Sequence, residues 1–338
     1  HQTVRKIVRA PEGGIWIACS SNNGNGGGLS YFDGISFLNM QTGDINGING
    51  IAVGKDNTIW STNWNGVHRY DPQSTLSFDS KDGINSFRAF HIDKYGASWF
   101  AAQGIGILHF KNGIMDQITT EDGLLGDNVQ DIKEDEEGDL WFAAWGEGLS
   151  KLHDNKFTNF TVEDGLVSNQ IRKLHIDGAG MLWIATAHGL CSFDGKEFKT
   201  IAGLVSRDIR RILTQGDNIL WLACYTGSSW IISRFDKTTE EIRNFGNKQG
   251  LDSNQYEDVI VDSRGTFWFA SHDKGVFFLQ EGTEKFVNWN MENKGLPGLD
   301  VASVMEDSKG GIWFATDLGA ARWAGNDLSQ SLKVFEKE

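Results

Sequence analysis

Short apolar runs alternate with polar positions along the whole chain and are separated by turns carrying Asp, Asn or Gly, as in Asp177-Gly-Ala-Gly180 and Asp262-Ser-Arg-Gly265. Alternation at period two between tight-turn residues predicts short β-strands joined by hairpins. The pattern repeats. Tryptophans at 16, 60, 99, 141, 183, 221, 268 and 313 return every 38 to 47 residues, and all but Trp60 are followed by x-Ala. Each copy offers four strand-like runs, with a glycine-apolar step after the tryptophan run, as in Gly148-Leu149 or Gly189-Leu190.

One four-stranded sheet of this size cannot bury both faces by itself, so each copy has to pack on its neighbours. The spacing therefore predicts an all-β fold, an eight-bladed β-propeller of four-stranded antiparallel blades, with seven blades plus a decorated edge as the alternative. The repeats are set at 1–43, 44–84, 85–124, 125–166, 167–204, 205–251, 252–296 and 297–338, in one domain. Trp16, Trp60, Trp99, Trp141, Trp183, Trp221, Trp268 and Trp313 are expected to be wedges between blades. Exchange of a strand between the two chain ends is not evident, because the first copy opens on a complete strand at 4–8 and the last closes on one at 332–335.

Composition narrows the partners. A net charge of −14 repels nucleic acid phosphates and anionic membrane surfaces. No apolar run approaches the roughly 18 residues of a membrane span. Cys19, Cys191 and Cys224 lack metal-ligand spacing and are expected as buried free thiols, with a disulfide as the alternative. The run Glu134-Asp-Glu-Glu137 reads as a solvated turn on the face opposite the expected site.

The motif Asp-x-x-Gly-x-Leu/Ile-Trp-Ile/Phe-Ala followed by Gly-Leu resembles the two-component regulator propeller repeat, most closely around Trp141, Trp183, Trp268 and Trp313 and least around Trp60 and Trp221. That resemblance implies a sensor propeller, either the excised extracytoplasmic half of a hybrid histidine kinase or a stand-alone relative. It also implies a periplasmic or cell-surface location.

In a propeller, the loops leading into the innermost strands and the loops after the tryptophan strands share one face. Aligning the former puts Arg5, Asn49, Arg88, Gln130, Arg172, Arg210, Glu257 and Ala302 at one repeat position. Four arginines there, with Arg207 and Arg211 beside Arg210, suggest capture of an anionic group by the guanidinium fork. The competing reading is ion pairing between blades, with Asp131, Asp208 and Asp258 as partners. The loops after the tryptophan strands supply Trp64, Trp145, His188, Tyr225, Trp230, His272 and Asp317. Their aromatics could stack on sugar rings or merely pack over the channel. The segment from Cys224 to Trp230 is expected to form an extended, functional loop.

Three functions compete on this evidence. The first is a non-enzymatic sensor that binds a small anionic or saccharide ligand at the channel mouth through Arg5, Arg88, Arg172, Arg210, Trp64, Trp145, Tyr225, Trp230, His188 and His272. The second is a carbon–oxygen lyase of the uronate-polysaccharide or streptogramin type, sharing only the propeller architecture. It would use Arg172 or Arg210 to neutralise a carboxyl or carbonyl and His272, His188 or Tyr225 as base. The third is a platform for a protein partner. No cofactor is expected, a divalent metal in the channel being the open alternative.

Overall fold

The computed structural model describes residues 2–21, 28–40, 48, 50–54, 57–63, 66–70, 75–79, 87–252, 255–279, 282–324 and 333–335. It forms eight four-stranded antiparallel sheets, each with its strands in chain order. Their first strands are Gln2–Arg9, Gly50–Val53, Phe87–Ile92, Val129–Glu134, Ile171–Ile176, Asp208–Gln215, Tyr256–Val261 and Val301–Glu306, which open blades 1 to 8. The fold is an eight-bladed β-propeller. By its contacts the chain divides into two compact units, residues 1–82 with 246–338 (blades 1, 2, 7 and 8) and residues 83–245 (blades 3 to 6). Among the described residues no helix is long and apolar enough to cross a membrane.

Burial differs between the outer and the second strands. Lys156–Phe160, the fourth strand of blade 4, keeps two of five positions half-buried and the rest exposed. The second strands Ser98–Ala102, Leu140–Ala144, Leu182–Thr186, Phe267–Ser271 and Ile312–Thr316 are buried at every position. Both of their faces are buried, which is why they read as continuous apolar runs.

The turn before each tryptophan strand explains the Asp-x-x-Gly part of the repeat. In blade 5, Asp177 Oδ1 accepts the backbone N–H groups of Ala179 (3.0 Å) and Met181 (3.1 Å), while Oδ2 accepts the indole N–H of Trp183 at 2.8 Å. Asp93, Asp135, Asp262 and Asp307 hold Trp99, Trp141, Trp268 and Trp313 in the same way, at 2.8 to 2.9 Å. Gln215 takes the role for Trp221, at 2.8 Å. The residue three after each aspartate lies at positive φ, as at Gly180 (78°) and Gly138 (93°), where a Cβ would be strained. Blades 1 and 2 have Ala10 and Gly54 at the aspartate position, and backbone hydrogen bonds such as Ala10 N–H to Gly14 O and Gly54 N–H to Thr58 O close the turn.

So tethered, the indoles of blades 3, 4, 5, 7 and 8 enter the next blade. Trp141 packs among Ile171, Leu174, Leu182 and Ile184 of blade 5, with the Phe193 ring 5.8 Å away. Trp16, Trp99, Trp183 and Trp268 insert likewise into blades 2, 4, 6 and 8. Trp313 of blade 8 packs among Val4, Ile7, Ile15, Ile17 and Phe32 of blade 1, so the chain ends are joined by side-chain packing while each terminal sheet keeps its own four strands. Trp60 is buried and lies beneath the Arg69 guanidinium, and Trp221 is buried against Phe245.

Two expectations change. Glu134 is not a solvated turn residue: its carboxylate lies 3.0 Å from His91 Nε2 and accepts the Lys94 backbone N–H, latching blade 4 to blade 3. Glu306 does the same for Ser263 between blades 8 and 7. The expected long loop at Cys224 to Trp230 is an extended hairpin, because Tyr225 and Trp230 are paired strand residues and only residues 226–229 turn. The three cysteines are free thiols. Burial lifts Cys191 to about 11 and Cys224 to about 12, which keeps both inert.

Trp141→Ala is expected to cost about 3 to 5 kcal/mol, the range for emptying a buried aromatic site. A urea titration reads this directly, and an unchanged midpoint would remove the indole from the packing role. For Asp177, burial alone would raise the carboxyl, but hydrogen bonds from Lys237, Trp183 and the turn backbone outweigh it and hold the group below its ordinary value. The stability it supplies is therefore present above the unfolded-state value and lost as pH falls through the folded one. The stability gap between wild type and Asp177→Asn should be full at pH 7 and shrink below about pH 4. A gap independent of pH would contradict this.

Candidate functional site

The predicted arginine register corresponds to a structural device. In blades 1, 4, 5, 6, 7 and 8 the first strand slips by one residue against the second, leaving Arg5, Gln130, Arg172, Arg210, Glu257 and Ala302 unpaired. Arg88 is skipped in the same way in blade 3. A β-bulge sets one side chain outside the strand's alternation and re-aims it. The repeat thus presents one variable residue per blade at the end of the innermost strand. Asn49 lies outside the described residues, as does Trp64.

The bulge residue meets the side chain four positions after the wedge tryptophan. Within blade 1, Arg5 Nε donates to Ser20 Oγ at 3.2 Å, and within blade 3, Arg88 donates to Gln103 Oε1 at 2.7 Å. In blade 6 the Arg210 guanidinium lies 5.2 Å over the Tyr225 ring. Ser20 and Gln103 are thus site-facing residues that the sequence reading missed, and the signal was their fixed offset from Trp16 and Trp99.

Blades 4 to 6 draw five predicted residues into one cluster around Asp208. Arg172 reaches across from blade 5 to grip Asp208 of blade 6 with two nitrogens, Nε to Oδ1 and Nη2 to Oδ2 at 3.1 Å. Arg210 donates to the same Oδ2 from Nε (3.2 Å) and Nη2 (2.8 Å). Arg172 also lies 4.5 Å over the Trp145 ring of blade 4. Trp230 tilts at 53° against Tyr225, 5.4 Å away, and the Tyr225 hydroxyl is tied to the Gly227 carbonyl. The two predicted sets are therefore one structure, in which aromatic faces support guanidinium groups. Two arginines share a single carboxylate, so one positive charge is left over. All three charged side chains keep partial access to water, at 24%, 21% and 35% for Arg172, Asp208 and Arg210.

The remaining residues have other partners. His188, exposed in the turn after the tryptophan strand of blade 5, has Nδ1 3.1 Å from Ser168 Oγ. In blade 7, His272 Nδ1 lies 3.2 Å from Asp300 Oδ1 and 3.7 Å from Glu257 Oε1. The other two aspartates named as ion-pair partners are also engaged. Asp131 holds Lys173 Nζ at 3.3 Å and the Leu174 N–H at 2.9 Å, and Asp258 holds Lys6 Nζ and Ser303 Oγ, each at 2.9 Å. Among the described residues no three His, Cys, Asp or Glu side chains are grouped to hold a metal ion.

The two-component regulator propeller pattern matches residues 123–146 and 295–317, the turns and tryptophan strands of blades 4 and 8. No curated protein matches the sequence. Among solved structures, the extracellular domain of the hybrid two-component system BT3049 of B. thetaiotaomicron is similar at 19% identity and a TM-score of 0.58, over 98% of this chain and 51% of that one. The extracellular domain of BT4673 from the same organism is similar at 16% identity and a TM-score of 0.56, over 100% and 54%. Virginiamycin B lyase from Staphylococcus aureus aligns at 18% identity and a TM-score of 0.62, over 83% and 94%. The chain spans about half the length of the two extracellular domains, and at these identities the likeness is one of fold. This eight-bladed propeller matches the two-component regulator propeller repeat in two of its blades, on a fold like that of the extracellular domains of hybrid two-component systems.

Proposed function

We propose that the chain is the ligand-recognition part of an extracytoplasmic sensor, and that it takes a small anionic ligand, an acidic saccharide in particular, at Arg172, Arg210 and Asp208. The observation that carries this reading is the shared carboxylate. Two guanidinium groups meeting on one aspartate leave donors and a net positive charge facing water, on a protein whose overall charge is −14. Stacking on Trp145 and Tyr225 holds both forks in place before a ligand arrives, which lowers the ordering cost of binding. Trp230 beside Tyr225 offers apolar surface on which a sugar ring could lie. The sensor assignment and a periplasmic or cell-surface location draw support from the repeats at 123–146 and 295–317 and from the extracellular domains with the same fold.

A lyase is the second reading, favoured by His272, whose ring nitrogen lies beside Asp300 as an oriented base would. Incubation with polyuronates tests it: the ultraviolet absorbance of a new double bond, abolished by His272→Ala, would promote this reading over the sensor.

Arg210→Ala is the informative variant for the first reading, since it leaves the inter-blade pair of Arg172 with Asp208 in place. Calorimetric titration with galacturonate should show a loss of about 1 to 3 kcal/mol in binding. The melting temperature should hardly move, because a partly exposed pair within one strand contributes about 1 kcal/mol or less. Unchanged affinity would assign Arg210 to the scaffold.

A further inference from the structure

The residue after each bulge forms a second register along the innermost strands: Lys6, Ala89, Asp131, Lys173, Arg211, Asp258 and Ser303 in blades 1, 3, 4, 5, 6, 7 and 8. Lys6 of blade 1 meets Asp258 of blade 7 at 2.9 Å, past the intervening blade 8.

The two units differ in how this register is balanced. In blades 7, 8 and 1 the cation has a carboxylate, since Asp258 answers Lys6. In blades 4 to 6 it does not balance. Asp131 is the one acid of the register there, and it is shared between Lys173 Nζ (3.3 Å) and the Leu174 N–H (2.9 Å). Arg211 donates only to a backbone carbonyl, that of Arg210, at 3.0 Å, and no ion pair of Arg211 or Lys133 is found among the described residues. Lys133, Lys173 and Arg211 against Asp131 leave two positive charges. Burial, helped by the nearby charges of Arg211 and Lys133, pushes the Lys173 ammonium below its ordinary value, against the pull of Asp131. Crowding three cations on adjacent inner strands is unfavourable unless an anion answers them.

We infer that Lys133, Lys173 and Arg211 form a second anion subsite, next in register to the Arg172 and Arg210 rim, so that the ligand carries two anionic groups, one for each. This rests on the rim reading above for the first group, while the second subsite stands on its own residues. Arg172 and Lys173, like Arg210 and Arg211, are consecutive in the chain and would point to opposite faces of a regular strand. The bulge between them interrupts that alternation, and both rows can then serve one ligand.

Two probes with different anionic content, galacturonate and trigalacturonate, separate the subsites by calorimetric titration. The wild type should bind the trimer at least about tenfold tighter than the monomer, as a second charged contact implies. The double variant Lys133→Ala/Arg211→Ala should lose that advantage while binding the monomer as the wild type does, whereas Arg210→Ala should weaken both. An advantage that survives the double variant, or is absent from the wild type, overturns the second subsite and leaves the rim intact. Inorganic pyrophosphate, titrated alongside, tests the cluster without a sugar: equal binding by wild type and double variant, or binding by neither, overturns the subsite whatever the saccharides do. Monomer binding indifferent to Arg210→Ala sinks the rim reading instead.

Discussion

A carboxylate clamped onto an indole is the interaction on which the rest of this propeller depends. Each aspartate of the repeat spends one oxygen on the backbone of a tight turn and the other on the N–H of a tryptophan six residues later. The bond fixes the ring's direction, and the ring then fills the gap to the next blade. Turn, strand and inter-blade packing are thereby coupled within seven residues. A buried indole N–H without an acceptor would be costly, so the aspartate also allows so large a side chain to be buried at all. Where the clamp lacks its aspartate, in blades 1 and 2, the tryptophans remain buried, Trp16 by packing against blade 2 and Trp60 beneath the Arg69 guanidinium.

The same regularity creates the candidate site. Once the wedge residues fix the blades, a bulge at a constant place in the first strand sets one side chain apart in blades 1 and 3 to 8. In blades 5 and 6 this position holds Arg172 and Arg210, each over an aromatic ring, in blade 4 it holds Gln130, and in blades 7 and 8 it holds Glu257 and Ala302. An acidic protein that gathers arginine and lysine along the inner ends of three consecutive blades has concentrated positive potential where a ligand would be enclosed.

The fold was legible in the sequence because its determinants are local and periodic. The tryptophan spacing, the Asp-x-x-Gly turn and the four runs per copy are all set by short-range geometry, and eight repetitions leave little room for another architecture. The arginine register could be aligned across repeats because it coincides with a bulge that recurs at one offset in seven of the blades. Partners were harder to read. Glu134 sits in an acidic run that resembles any solvated turn, and only the approach of Lys94 and His91 from blade 3 makes it a latch.

By itself, then, the sequence determined the number of blades, the wedge residues and the row of variable positions, because each is encoded within a few neighbouring residues. Only the tertiary structure decided what that row became. Arg172 finds Asp208 36 positions further on and Trp145 one blade back, and no local pattern announces either meeting. Which charges cancel and which are left to face a ligand depends on side chains brought together from different blades, so it is settled by packing and not by spacing.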